Sequence, residues 1–232
     1  MCTIVIAWRL FEGVPIIFGG NRDERYDRPA AAPSPRDSDP RILAPRDERA
    51  GGTWIGINDA GVLVGLANRP SELEGERSRG ALVTDTLEAE TAASAQEAAR
   101  AAIHATDYAG FTLLIADATD GFVTRWDGQV AARSLEPGLH VIVNNGMNDE
   151  VTKSATIRSR ALASAMKSDT AFLERLPDIL SDHGSSACIH GEEGGTRSSS
   201  IIAYREEGHL IYRFADGPPC TNQYRTVWDG RF

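Results

Sequence analysis

Pairs of apolar runs joined by short polar turns are the feature that most constrains how this chain can fold. Residues 2–8 pair with the run VPIIFGG at 14–20 across a short turn, which is typical of a hairpin. A second pair lies within residues 51–70 around Gly61, which can take a positive φ, and a third lies within 198–214. Strands joined in this way pair antiparallel, so the sequence favours antiparallel sheets over alternating βαβ units.

Two stretches between these hairpins have helical spacing instead. Residues 80–104 are rich in alanine and are interrupted between Thr91 and Ser94, which predicts two helices. Residues 152–166 and 169–182 predict two more. Three further strands are predicted, at 111–117, 122–128 and 139–145. This order predicts an α+β fold, a four-layer αββα sandwich in which two antiparallel sheets lie between helix layers.

Residues 21–40 are rich in proline and charge and follow neither a strand nor a helix period. They predict a surface loop rather than a linker, because strand-like sequence resumes soon afterwards. We therefore expect one domain over residues 1–232.

Net charge and cysteine usage limit the class of partner and the compartment. A net charge of -9 disfavours nucleic acid and anionic membrane surfaces, because both repel an acidic protein. No stretch approaches the roughly 20 apolar residues of a membrane span, and the first apolar run lacks the basic flank of a secretory signal. Three scattered cysteines form no disulfide framework, so we expect a cytoplasmic protein. The sequence leaves the oligomeric state open.

Cys2, directly after the initiator methionine, is the first candidate for chemistry. Removal of Met1 would leave a residue that has both a thiol and a free α-amine, which is a nucleophile with its own base. The alternative is a small hydrophobic residue at the start of a buried strand.

A polar tetrad at a strand end is the second candidate: Asn21, Arg22, Asp23 and Glu24 follow two glycines. A carboxylate here could hold an ammonium group, and an arginine could bind an anionic substrate or favour a thiolate. The alternative is a solvated turn.

Further polar residues stand where other predicted strands begin or end. Asn144 and Asn145 close one strand and Asn68 another, and side-chain amides there could stabilise an oxyanion, although asparagines also form plain turns. Thr196 and Arg197 lie in GTRSSS, which could bind a carboxylate or phosphate but does not match a P-loop.

Metal ligands are sparse in the sequence. None of the five histidines pairs with another at the H-x-x-x-H spacing, and Cys188 with His190 makes only half a site. We therefore predict no metal site and no cofactor for catalysis.

Taken together, these motifs resemble the NRDE family, that of the transport and Golgi organisation protein two homologues. The resemblance rests on MCTIVIAW, NRDERYDRP, AGGTWIGIN with Trp54, LANRP, SRGALVTDTL, NNG and GTRSSSIIAY, in this order. The family is similar in turn to N-terminal nucleophile hydrolases of the choloylglycine hydrolase type, which implies the same four-layer sandwich. One departure is that the arginine directly precedes Asp23, whereas in that type it lies three residues before, where this chain has Gly20.

The resemblance implies an N-terminal cysteine hydrolase or acyltransferase that acts on a small amide or acyl thioester. Cys2 would attack the carbonyl, Asp23 would orient its amine, and Asn68 with Asn144 or Asn145 would stabilise the oxyanion. The substrate-binding candidates are Asn21, Arg22, Glu24, Trp54, Thr196 and Arg197. The alternative, also from the family, is a non-enzymatic carrier that holds haem noncovalently, or an acyl-CoA or lipid carrier, in the same cleft.

Overall fold

The computed structural model describes residues 2–232. Within them the chain divides into two units, one formed by the residues up to Asp27 together with Pro137–Phe232 and the other by Arg28–Glu136. Each unit is a seven-stranded antiparallel sheet with two helices packed on one face. The predicted antiparallel sheets are confirmed, whereas a single domain over residues 1–232 stays a prediction.

Strands and helices follow one another in blocks along the chain. The strands are β1 (Cys2–Phe11), β2 (Val14–Arg25), β3 (Ala30–Arg36), β4 (Ile42–Asp47), β5 (Ile55–Asn58), β6 (Leu63–Asn68), β7 (Phe111–Ala116), β8 (Gly121–Trp126), β9 (Val130–Ser134), β10 (Gly138–Val143), β11 (Gly146–Met147), β12 (Gly194–Tyr204), β13 (His209–Ala215) and β14 (Arg225–Arg231). The helices are α1 (Arg79–Thr86), α2 (Ala92–Ala105), α3 (Thr152–Ala165) and α4 (Asp169–Leu180), with a short 3-10 helix at Asn148–Glu150.

The first unit places the start of the chain inside its sheet. The strand order is β11-β10-β1-β2-β12-β13-β14, so β1 is hydrogen-bonded on both sides, by β10 and β2. Alternate residues of these strands, such as Val5 and Ile17, pack with Phe172 and Leu176 of α4 in one buried cluster. Burying a side chain of this size contributes about 1.5–3 kcal/mol, so the helix pair holds the first strand firmly.

The second unit has the strand order β3-β4-β5-β6-β7-β8-β9, with α1 and α2 on one face. The predicted break between its helices is confirmed, since Thr91 and Ser94 form a reciprocal capping box at the start of α2. Asn58 fixes the turn before α2, because its Nδ2 donates to the carbonyls of Leu87 and Ala89 at 2.8 and 2.7 Å.

The prediction of a loop over residues 21–40 is wrong. Strand β2 continues to Arg25, and Ala30–Arg36 forms β3. The reason is that β3 is an edge strand, where proline and exposed charge are tolerated because one side of the backbone needs no partner. Four further strands were not predicted from the sequence: β9, β11 and β14 also lie at sheet edges, whereas β4 lies between β3 and β5.

Candidate active site

Cys2 opens a central strand and is 6% exposed. Its backbone nitrogen donates a hydrogen bond of 3.0 Å to Oδ1 of Asn144, which stands in the tight turn between β10 and β11. Asn145, the other residue of that turn, is exposed. The structure therefore brings Cys2 and Asn144 together and leaves Asn145 at the surface.

A buried guanidinium shares the face of the sheet on which the Cys2 side chain lies. Cys2 is directly opposite Arg22 on β2, and Arg22 is directly opposite Ser198 on β12. Directly opposed residues share a face with Cβ atoms about 4.5–5.5 Å apart. Arg22 is 5% exposed, and its Nη2 lies 3.9 Å from Oε2 of Glu24. A thiol, a positive charge and a hydroxyl thus form one buried row.

Asp23 is buried and firmly oriented. Oγ1 of Thr196 donates to its Oδ1 at 2.7 Å, and the two residues are paired across β2 and β12. Burial raises the pKa of Asp23 from its ordinary value of 3.8 to about 6, although the Thr196 hydrogen bond lowers it. A carboxyl group with a pKa near neutrality is suited to orienting or exchanging a proton at physiological pH.

Lys153, in the first turn of α3, is the site residue that sequence reasoning missed. Its electrostatic attractions are to Asp23 and Cys2, while burial lowers the pKa of its ammonium group. Within residues 2–232, its Nζ has no hydrogen-bond partner. A cation at a helix N-terminus also opposes the helix dipole, so a capping role does not account for this lysine. The only sequence signal is that it is one of two lysines in the chain.

Arg197 is the extra residue of a β-bulge. The register of β12 against β2 shifts between Thr196 and Ser198, opposite Asp23 and Arg22. Bulges commonly re-aim a side chain beside an active site. Of the residues that the structure describes, none is hydrogen-bonded to Nε of Arg197 or to Oγ of Ser198. Buried polar atoms without a protein partner are rare and concentrate where a ligand or water binds.

The remaining predicted residues take other positions. Nδ2 of Asn21 donates to the backbone carbonyls of Leu180 and Ala187, at 2.8 and 2.7 Å, and so ties β2 to the segment after α4. Asn68 and Trp54 belong to the second unit, at the end of β6 and just before β5. Substrate contacts by Asn21 and Trp54, and an oxyanion contact by Asn68, stay predictions.

Comparison with known proteins identifies the family. The family model described as Transport and Golgi organisation 2 matches residues 1–213. The chain belongs to the Transport and Golgi organisation 2 family. It is 28% identical over 235 residues to the transport and Golgi organization protein 2 homolog of Bos taurus, and 27% identical over 234 residues to that of Homo sapiens. Both alignments cover 85% of this chain and 84% of the relative.

Solved structures show the fold. A conjugated bile acid hydrolase from Clostridium perfringens, solved as its C2A mutant, superposes with a TM-score of 0.59 at 12% identity and covers 98% of this chain and 97% of its own. The N-acylethanolamine-hydrolyzing acid amidase ortholog of Caenorhabditis elegans has a TM-score of 0.57 at 15% identity, covering 87% and 92%. These likenesses confirm the predicted fold class, the α+β sandwich of the N-terminal nucleophile hydrolases.

Proposed function

We propose that the chain is an N-terminal cysteine hydrolase or acyltransferase that acts on a small amide or acyl thioester. The observation that carries the proposal is the hydrogen bond from the backbone nitrogen of Cys2 to Asn144, with the Cys2 side chain in one buried row with Arg22. Two proteins of the same fold are named as a bile acid hydrolase and an acid amidase, and the first was solved with the cysteine at its second position replaced by alanine.

The proposed reaction has two halves. In the first, Sγ of Cys2 attacks the carbonyl carbon while the thiol proton moves to the α-amine that removal of Met1 exposes. Collapse of the tetrahedral oxyanion breaks the bond to the amine or thiol leaving group, which takes that proton, and leaves a thioester on Cys2. In the second half, water or an acceptor nucleophile attacks the thioester and restores the thiol. Met1 lies outside the described residues, so its removal is part of the proposal.

The roles that we propose for the surrounding residues follow from their contacts. Asn144 fixes the nitrogen of Cys2 through Oδ1, and Nδ2 of the same amide is a donor suited to an oxyanion. Asp23 and Lys153 supply charges of opposite sign close to the nucleophile. Arg22 and Arg197 are the groups suited to an anionic part of the substrate. Asn68 remains the second proposed oxyanion donor.

The haem-carrier hypothesis and a cytoplasmic location stay predictions. Haem binding needs an axial ligand and apolar side chains against the ring faces. The groups near Cys2 in the first unit are charged, namely Arg22, Asp23 and Lys153. Such a site favours a polar reacting group over a porphyrin. Within residues 2–232 no helix is long and apolar enough to cross a membrane.

Turnover measurements on variants of the purified protein test the proposal. Intact mass should show that Met1 is absent, and a panel of acyl thioesters and N-acyl amides of graded chain length should be cleaved. The Cys2→Ala protein should lose this turnover while keeping the thermal unfolding temperature of the wild type. Full turnover by Cys2→Ala would refute the proposal. A Soret shift on haem titration, together with no turnover by the wild type, would instead favour the carrier.

A further inference from the structure

Four side chains with metal-binding atoms lie close together in the first unit. His183, Cys188 and His190 come from the segment between α4 and β12, and Cys220 comes from the segment between β13 and β14. All of their ligand atoms lie within 4.8 Å of one another. The sequence predicted no metal site because Cys188 and His190 made only half of one. The fold brings the other two ligands, His183 and Cys220, close to this pair.

The spacing of these atoms matches a tetrahedral ion. The Sγ atoms of Cys188 and Cys220 are 3.6 Å apart, and Nε2 of His190 lies 3.9 Å from the first and 3.2 Å from the second. A zinc ion with bonds of about 2.3 Å to sulfur and about 2.0–2.1 Å to nitrogen requires ligand separations of about 3.3–3.8 Å. The three measured separations lie close to this range, and the widest separation in the group, which is no more than 4.8 Å, would have to close by about 1 Å around a central ion.

The fourth ligand, His183, has a backbone contact that fixes its tautomer. Its Nδ1 lies 3.2 Å from the backbone carbonyl oxygen of Cys188, which can only accept a hydrogen bond, so Nδ1 carries the hydrogen and donates it. The lone pair is then on Nε2. Metal-bound histidines commonly donate their other ring N–H to a carbonyl in this way, because that bond fixes the tautomer and the ring orientation.

We propose that His183, Cys188, His190 and Cys220 form a zinc site of the Cys2His2 type. Two thiolates and two imidazoles are the ligands that Zn²⁺ prefers, and four protein ligands without an open position are typical of a structural site. An ion can reach the site from solvent, since both histidines are at least partly exposed and Cys220 lines an open cavity of about 600 Å³.

The proposed ion would support the candidate active site through the segment that holds it. Ile189, between two of the ligands, donates from its backbone nitrogen to Oγ1 of Thr196 at 3.0 Å and accepts from the Thr196 nitrogen at 2.9 Å. Oγ1 of Thr196 in turn donates to Asp23. Only glycine allows this approach at Gly195, because a Cβ there would lie 2.5 Å from the carbonyl oxygen of Ile189. The ion would thus fix the residue that orients Asp23.

Metal analysis of the full-length protein tests this proposal independently of any acyl chemistry. Protein purified under reducing conditions without chelator should contain about one zinc per chain. After the zinc is removed, Co²⁺ alone should restore a stoichiometric complex with the visible absorption of tetrahedral cobalt and a thiolate-to-cobalt charge-transfer band. The double variant His190→Gln/Cys220→Ser should lose both signals, whereas Cys2→Ser, the matched cysteine control, should keep them.

Folding of the double variant is checked by circular dichroism. Should it fail to fold, the single variant Cys220→Ser takes its place, and a loss of the charge-transfer intensity of one thiolate is expected. Three results would overturn the proposal. They are a wild type that binds neither zinc nor cobalt stoichiometrically, a Cys188–Cys220 disulfide in protein kept under reducing conditions, or metal binding that survives the ligand substitutions unchanged.

Discussion

Replacing Asp23 by asparagine should stabilise the protein at neutral pH while it removes the proposed activity. The substitution keeps the size of the side chain and keeps an oxygen that can accept the 2.7 Å hydrogen bond from Thr196. It removes a carboxylate that is 4% exposed and whose ionisation burial opposes. Buried ionisable groups that serve function commonly lower the stability of the folded state, so their replacement by a neutral residue commonly stabilises a protein.

The size of the effect follows from the pKa. Burial raises the pKa of Asp23 from 3.8 in the unfolded chain to about 6 in the folded protein. Each pKa unit corresponds to about 1.36 kcal/mol, so ionising Asp23 costs the folded state about 3 kcal/mol. Because the folded pKa is the higher one, a protonated Asp23 does not destabilise the folded state below about pH 4. The folded state loses this stability of about 3 kcal/mol as the pH rises through about 6 and the carboxyl group ionises.

Urea denaturation across this pH range measures the effect. The free energy of unfolding of Asp23→Asn minus that of the wild type should increase by about 3 kcal/mol from about pH 3 to about pH 8, and most of the increase should lie below about pH 6. Asp37→Asn removes an exposed carboxylate and serves as the matched control. A difference for Asp23→Asn that does not vary with pH, or that is largest in acid, would show that burial does not raise this pKa.

Two further substitutions test the residues next to Cys2. Lys153→Met removes a charge that lowers the pKa of Asp23, so that pKa should rise above about 6 and the acid limb of the pH–activity profile should move to higher pH. Lys167→Met, at an exposed lysine, is the control and should leave the profile in place. Equal profiles for the two variants would contradict this expectation. Asn144→Ala removes the acceptor of the Cys2 nitrogen and should lower kcat about 10²-fold, by analogy with the loss of one oxyanion-hole donor. Asn145→Ala, in the same turn, is the control and should keep a kcat near the wild-type value. Similar kcat values for both variants would count against the assigned geometry.

The hairpins were predictable because their information is local. Gly13, Gly61 and Gly208 each take a positive φ, between +71° and +85°, at the turns between predicted strands. The strands that were missed have a different character. Edge strands such as β3 and β14 are only half covered, so polar residues and proline replace the apolar alternation on which prediction depends. Exposed edge residues do not carry the pattern of a buried strand.

The candidate site was predictable only in part, because its residues come from distant parts of the chain. Cys2, Asp23 and Asn144 stand at strand ends where polar residues interrupt apolar runs, which is a readable signal. Lys153 lies in an ordinary helical stretch, and only the position of α3 brings it near Asp23. The pairing of β2 with β12 joins residues more than about 170 positions apart, and no local pattern reveals such a contact.

Trapping the acyl intermediate is the decisive test of Cys2 as the nucleophile. The protein is mixed with an acyl thioester, quenched in acid and digested, and the peptides are analysed by mass spectrometry. We expect the acyl group on the peptide that begins with Cys2, we expect Met1 to be absent from this peptide, and we expect the adduct to disappear in Cys2→Ala. An adduct confined to Cys188 or Cys220, or catalytic turnover with no acyl group on Cys2, would contradict the proposed mechanism.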